Sequence, residues 1–191
     1  MKIILASQSP RRYDILKKEG YDIEVVPSCY DEKINGLKYS DELVENCAYQ
    51  KALDVKKRIG DDTLIVSADT VVVNNGIILG KPKDEKEACN MLLSLSKKTH
   101  FVATSICLIY KNKIFKGTDK TFVTFKELSN NEICDYVNNK KPFDKAGSYG
   151  IQDEGFNFAI KLEGNLDNVI GFPIALFEKK LTMYTGDMKH C

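Results

Sequence analysis

The chain has 191 residues with a formal net charge of +1, and 29% of its residues are charged. That length suits one domain or two small lobes around a proper core, and the near-zero charge provides no global field to recruit nucleic acid or an anionic membrane, so any anion-binding charge must be local. No apolar run approaches the roughly 18 residues of a membrane-spanning helix, while six scattered cysteines without a CxxC pair and only two histidines, His100 and His190, point to buried thiols in a reducing cytoplasm and away from a disulfide framework, a zinc site or a Ser-His-Asp triad.

In chain order, residues 3–6 read as a short buried strand. Ser9 offers an N-cap and Pro10 suits the first helical position, so a helix is predicted from there to Gly20. Residues 21–26 form a second predicted strand. Ser40 caps a helix in which Leu43, Val44, Cys47, Ala48, Lys51, Ala52 and Val55 recur at helical spacing up to Gly60. Residues 64–68 form a buried strand, and 71–73 and 77–79 flank Asn74-Asn75-Gly76, a strong hairpin signal. Asp84 opens a helix carrying Ala88, Met91, Leu92 and Leu95. Residues 101–110, 113–115 and 121–125 suggest an antiparallel meander. Ser129 and Glu132 form a capping box ahead of Ile133 and Val137. A strand is predicted at 156–162, between loops at 140–150 and 163–168, and the tail 185–191 is expected to fray. The mixture implies an α/β fold, a mixed sheet flanked by helices, in one domain over 1–191 with two lobes.

Five polar clusters interrupt this pattern: Ser7-Gln8-Ser9-Pro10-Arg11-Arg12, Asp31-Glu32, Ser67-Ala68-Asp69-Thr70, Gly80-Lys81-Pro82, and the run from Lys141 through Asp144 and Lys145 to Gly147. The first puts two arginines at the positive end of a helix, where basic side chains are unfavourable unless an anion is held there. Free N–H groups and two guanidinium forks suit phosphate, although a solvated helix turn also explains the Ser-Pro cap. Asp69 is expected at the tip of a buried strand, a costly place for a carboxylate without a partner or cation; the alternative is an Asp that turns the chain toward Thr70. Asp31-Glu32 reads equally as loop charge. Lys51 lies on or beside the apolar face of its helix, where it needs a buried anion or must snorkel. Lys81 could mark only a turn, and Lys145-Ala146-Gly147 a loop permitting close backbone approach.

Together Glu32 and Asp69 supply hard oxygen ligands suited to Mg²⁺ or Mn²⁺, and Arg11, Arg12, Lys51, Lys81 and Lys145 suit several phosphates. No Walker loop occurs and no GxGxxG follows a strand, which removes kinase, GTPase and Rossmann readings. What remains is metal-assisted attack of water on a phosphoanhydride.

In this order, ILASQSPRRYDIL, Asp31-Glu32, Lys51-Ala52, SADTVVV, LGKP, PFDKAGSYGIQ and NVIGFP resemble the Maf family of nucleoside triphosphate pyrophosphatases, from about residue 2 to residue 173. The resemblance implies the Maf-like (ITPase-like) α/β fold with a central cleft. It also implies cleavage between the α and β phosphates, giving a nucleoside monophosphate and pyrophosphate with a divalent cation. It assigns Asp69 as proton acceptor, and Ser7, Arg11, Arg12, Glu32, Lys51, Lys81, Asp144 and Lys145 as phosphate or metal contacts. One branch of the family acts on dTTP and UTP, another on 7-methyl-GTP. Arg11, Thr70 and Tyr149-Gly150-Ile151-Gln152 are of the first type, where the other branch carries Trp and Gln at the first two places. A Gln152 amide can satisfy both O4 and N3–H of uracil or thymine, provided that neighbours hold it in one orientation. A homodimer is plausible for the family. Its members also resemble regulators of septum formation and cell division, so nucleotide binding with little turnover is the competing expectation. The chain departs from the family pattern at Asp153, at Gly164-Asn165-Leu166-Asp167 and at Phe172, positions expected to lie outside the charged cluster and to affect loop shape.

Overall fold

The computed structural model describes residues 2–60 and 62–188. Strand β1 (Lys2–Leu5) is apolar after its first residue because both of its faces are covered. It lies between β2 (Asp22–Val25) and β3 (Leu64–Asn74), parallel to both. Beyond β3 the pairing is antiparallel, through β4 (Ile77–Leu79), β5 (Thr99–Tyr110), β6 (Lys113–Phe125) and β7 (Ala159–Glu163). The result is a seven-stranded mixed sheet in the order β2-β1-β3-β5-β6-β7, with β4 paired to β3. Asn75 and Gly76, both at positive φ, close the β3–β4 hairpin, as the Asn-Gly signal predicts.

The helices are α1 (Pro10–Lys18), α2 (Asp41–Ile59), α3 (Glu85–Leu95), α4 (Asn130–Lys140), α5 (Leu166–Ile170) and α6 (Ile174–Met188). Ser40 and Asp84 cap α2 and α3 through their side chains, and Ser129 with Glu132 forms the reciprocal capping box of α4.

Several expectations are corrected. The strand expected to stop at residue 68 continues to Asn74, so Asp69 stands in mid-strand. It is tolerated there because its partner, Lys51, comes from α2, a contact that no local pattern reveals. The last two strands of the expected meander are one strand, since the polar stretch from Lys116 to Lys120 pairs residue for residue with the middle of β5. The predicted 163–168 loop runs into α5, and the strand expected from 156 begins at Ala159. Ser9 makes no side-chain cap on α1; its N–H donates to Ser7 Oγ instead. Residues 185–188 of the tail belong to α6, and the remainder lies outside the described residues.

Helix α2 covers one face of the sheet. Its Val44, Cys47, Ala48, Ala52 and Val55 pack on β1, β3 and β5, and Ser67 Oγ donates to the Ala48 carbonyl at 2.5 Å, pinning helix to strand. The other face carries two separate cores. One joins Leu16 of α1 with Phe177 and Leu181 of α6; the other joins α3, α4 and Tyr149. Between them runs a cleft.

The cleft meets a notch in the sheet. β1 pairs with β3 only as far as Val66, and β4 pairs with β3 only from Val72 onward, so among the described residues positions 67–71 of β3 have no strand neighbour on that edge. Asp69 and Thr70 sit in this notch. Being successive strand residues, they face opposite sides of the sheet, and the missing neighbour lets both reach one cavity.

Candidate active site in the notch of the sheet

A cavity of about 840 Å³ occupies the cleft and notch, within the range of small-ligand sites. Ser7, Arg11, Arg12, Glu32, Lys51, Asp69, Thr70, Lys81, Asp144, Lys145 and Gln152 all line it. Residues singled out from six separate stretches of sequence therefore share one cavity.

Its floor is a buried ion cluster. The Ser67–Ala48 bond sets the register of α2, so that Lys51, nearly one turn on, reaches Asp69, two strand residues on and on the same face. Lys51 Nζ donates to Asp69 Oδ1 at 2.5 Å and to the Ala68 carbonyl at 3.3 Å, and it forms a close ion pair with Glu32. Lys81 approaches Glu32 Oε2 at 3.9 Å. Asp69 is 1% exposed, and its Oδ2 is buried with no hydrogen-bond partner among the described residues. Burial pushes the Asp69 carboxyl above the usual range; Lys51 opposes that and Glu32 adds to it. Glu32 goes the other way: burial raises it, but Lys51, Lys81 and Arg12 outweigh burial and hold it low. Two neighbouring carboxylates thus have their proton affinities driven apart.

The opposite wall is the start of α1. Arg12 Nε donates to the Gly171 carbonyl at 2.9 Å, Nη1 to Ser7 Oγ at 2.9 Å and Nη2 to Thr70 Oγ1 at 3.1 Å. Burial works against its charge, and Asp69 and Glu32 offset that. Three neutral oxygens fix its direction without cancelling its charge. Arg11 reaches across the mouth of the cavity to Asp144 at 3.0 Å. Lys145 lies 3.3 Å from Asp144 Oδ1 and 3.7 Å from Asp153 Oδ2.

Asp153 is a correction. Expected outside the charged cluster, it lines the cavity, approaches Lys145 and accepts from the Tyr136 hydroxyl at 2.5 Å. The same hydroxyl accepts from the Gly150 N–H, so Asp153 anchors the loop that carries Gln152. The loop before it allows the expected close approach: Gly147, at φ +65°, donates to the Gly80 carbonyl, and a Cβ there would meet Val72 at 2.7 Å. The Gln152 side chain is exposed, and no hydrogen bond among the described residues holds its amide. The orientation that base discrimination requires is therefore not imposed in advance.

Sequence reasoning gave no site role to Tyr30 or Gly171, which line the cavity, whereas Tyr149 lines it as part of the base-type motif. It also missed His100, which is buried behind the wall with Nε2 2.8 Å from the Tyr149 hydroxyl, and whose burial lowers its pKa to about 4. No local pattern marks these residues, because their roles arise from strands and loops far apart in the chain.

The donor set fits a hard divalent cation. Asp69 Oδ2 is an orphaned buried oxygen, and Glu32, which shares Lys51 with Asp69, has its Oε2 3.9 Å from Lys81. Among the described residues no three His, Cys, Asp or Glu side chains form a group that could hold a metal alone, so further ligands would come from substrate oxygens and water. The lining carries five basic and five acidic side chains. Adding a polyphosphate to that balanced wall leaves an excess of negative charge, which a divalent cation offsets.

The profile of the family described as Maf-like protein matches residues 2–184 of this chain. A dTTP/UTP pyrophosphatase from Clostridium perfringens is 43% identical over 187 residues, 96% of this chain and 97% of its own. One from Thermosipho africanus is 47% identical over 175 residues, covering 92% and 89%, and one from Bacillus cereus is 42% identical over 189 residues, covering 99% and 98%. Among solved structures, a nucleoside-triphosphatase / dITP/XTP pyrophosphatase from Mycobacterium abscessus is 15% identical, with a TM-score of 0.47 over 67% of this chain and 76% of its own.

Proposed function

The chain belongs to the Maf family, and we propose that it hydrolyses dTTP and UTP to the nucleoside monophosphate and pyrophosphate. The observation that carries the chemistry is Asp69: a buried carboxylate with raised proton affinity, one oxygen held by Lys51 and the other free, on the floor of a cavity ringed by cations. In this reading Arg11, Arg12, Lys81, Lys145 and the open start of α1 take the phosphate oxygens. Lys51 fixes the Asp69 carboxylate in one orientation, and Oδ2 accepts the proton of the attacking water. Glu32, together with Asp69 until its Oδ2 takes the proton, would hold the divalent cation, Mg²⁺ or Mn²⁺, which would supply neutralisation of the polyphosphate charge.

One feature favours turnover over a purely regulatory nucleotide sensor. A sensor needs the cations but has no use for a buried carboxylate oxygen left unpaired at a cost. The pyrimidine preference is supported by the relatives' names and by the presence of Arg11, Thr70 and Gln152 in the lining of one cavity. Among the described residues no helix is long and apolar enough to cross a membrane, and we assign the work to the cytoplasmic nucleotide pool. The test is a panel of dTTP, UTP, CTP, ATP and 7-methyl-GTP with Mg²⁺ or Mn²⁺. The proposal expects dTTP and UTP to be the best substrates; 7-methyl-GTP in first place would overturn the base assignment.

A further inference from the structure

Asn168 is fully buried and is not part of the lining of the active-site cavity. Its side-chain Oδ1 accepts from the Thr104 N–H at 3.1 Å, and its Nδ2 donates to the Val102 carbonyl and to Thr121 Oγ1, each at 3.0 Å. Its own carbonyl accepts from the Thr104 hydroxyl at 2.8 Å. The Thr104 N–H and the Val102 C=O flank Ala103, so the Asn168 amide bonds to β5 as a piece of neighbouring strand would. Thr121 Oγ1 also bonds both the N–H and the carbonyl of Asn165, the residue before α5.

These bonds hold a helix that cannot hold itself. α5 has five residues, too few to be stable alone. It ends at Gly171, whose carbonyl accepts from Arg12 Nε at 2.9 Å and lies 3.5 Å from Thr70 Oγ1. The Thr70 hydroxyl, 3.0 Å from that of Thr104, accepts from Arg12 Nη2. Two of the three oxygens that orient Arg12 are thus set by groups bonded to Asn168 or carried on its helix; only Ser7 is independent.

We infer that Asn168 is a positioning residue for the reaction: by locking α5 to β5 and β6 it fixes the Gly171 carbonyl and the Thr70 hydroxyl, which aim the Arg12 guanidinium at the phosphates. The inference rests on the reading above for its substrate. A displacement of about 1 Å at a group that orients substrate can cost on the order of a hundredfold in rate.

The experiment is a double-mutant cycle of Asn168→Asp with Arg12→Ala, read on kcat/KM for pyrophosphate release from dTTP and separately on the Kd for dTTP by calorimetry. Asn168→Asp keeps the shape and the acceptor but sets an oxygen against the Val102 carbonyl. The expected result is a loss of roughly tenfold to a hundredfold in an otherwise wild-type chain and a further loss of no more than about twofold once Arg12 is gone. Equal fold-losses in both backgrounds would mean a merely structural role and overturn the inference. Thr121→Val, isosteric and away from the cavity, carries the same cycle with a smaller loss should Asn168→Asp fail to fold; no loss, or the same loss in both backgrounds, overturns it again. Coupling in Kd without any turnover by the wild-type chain would support this inference and reject the proposed activity.

Discussion

Lys51 Nζ lies 2.5 Å from Asp69 Oδ1, while Oδ2 of the same carboxylate is buried with no hydrogen-bond partner among the described residues. One lysine both neutralises the carboxylate and leaves half of it free to act. Asp69→Asn keeps the shape and removes the anion. Turnover of dTTP is expected to fall by at least about a hundredfold, with nucleotide binding retained. Because its folded-state pKa is raised by burial, Asp69 weakens the fold as pH rises through the carboxylate range; the Asn variant is therefore expected to melt no lower than wild type at pH 8. More than a tenth of wild-type turnover in this variant would remove Asp69 from the role of proton acceptor.

The pH profile carries a sign. A general base must be deprotonated, so kcat rises as pH rises through the Asp69 pKa. Burial holds that pKa high and Lys51 pulls it down. Lys51→Met removes the pull, so Asp69 keeps its proton to higher pH and the acidic limb of kcat shifts alkaline, with a lower plateau. An acidic limb that stays in place, or moves to lower pH, would contradict the coupling.

Arg11 and Asp144 form an exposed pair across the cavity mouth, and the same carboxylate faces Lys145. An anionic substrate must compete with Asp144 for both cations. Asp144→Asn is expected to lower the KM for dTTP by about two- to fivefold, the scale of a screened surface ion pair, with the effect shrinking as salt is added. A raised KM would instead make Asp144 a ligand of the substrate or its cation.

Gln152 enters the site unheld. A free amide can flip to match cytosine as well as uracil, so its selectivity depends on the order it gains when the nucleotide binds. Gln152→Ala is expected to reduce the ratio of UTP to CTP hydrolysis by at least about tenfold, measured as the ratio of kcat/KM values. An unchanged ratio would move base recognition to the backbone of the same loop.

Features written in local chemistry were legible in the sequence. The Asn75-Gly76 turn, the Ser40 and Asp84 caps and the Ser129–Glu132 box fall where side chains three residues apart, or a positive φ, dictate them. The cations of the site were legible too, since a nearly neutral chain that places Arg11, Arg12, Lys81 and Lys145 beside helix starts and turns, and Lys51 on an apolar helix face, suggests a local anion. What could not be read was long-range. β3 looks as though it must end at a charged residue, yet Lys51 arrives from another element and lets it run on through Asp69. β6 looks broken at its polar middle, yet pairing with β5 keeps it extended. Asp153 looks like loop charge until Tyr136 and Lys145 meet it. Asn168 looks like the end of a loop until β5 and β6 bond to its amide.

The most direct measurement is of the products released from dTTP with Mg²⁺ or Mn²⁺, scored side by side for pyrophosphate and orthophosphate in the wild-type chain and in Asp69→Asn. The account predicts pyrophosphate and thymidine monophosphate in equal amounts from the wild type, and neither above background from the variant. Orthophosphate as the only product, or pyrophosphate release that survives the loss of the Asp69 carboxylate, would contradict it.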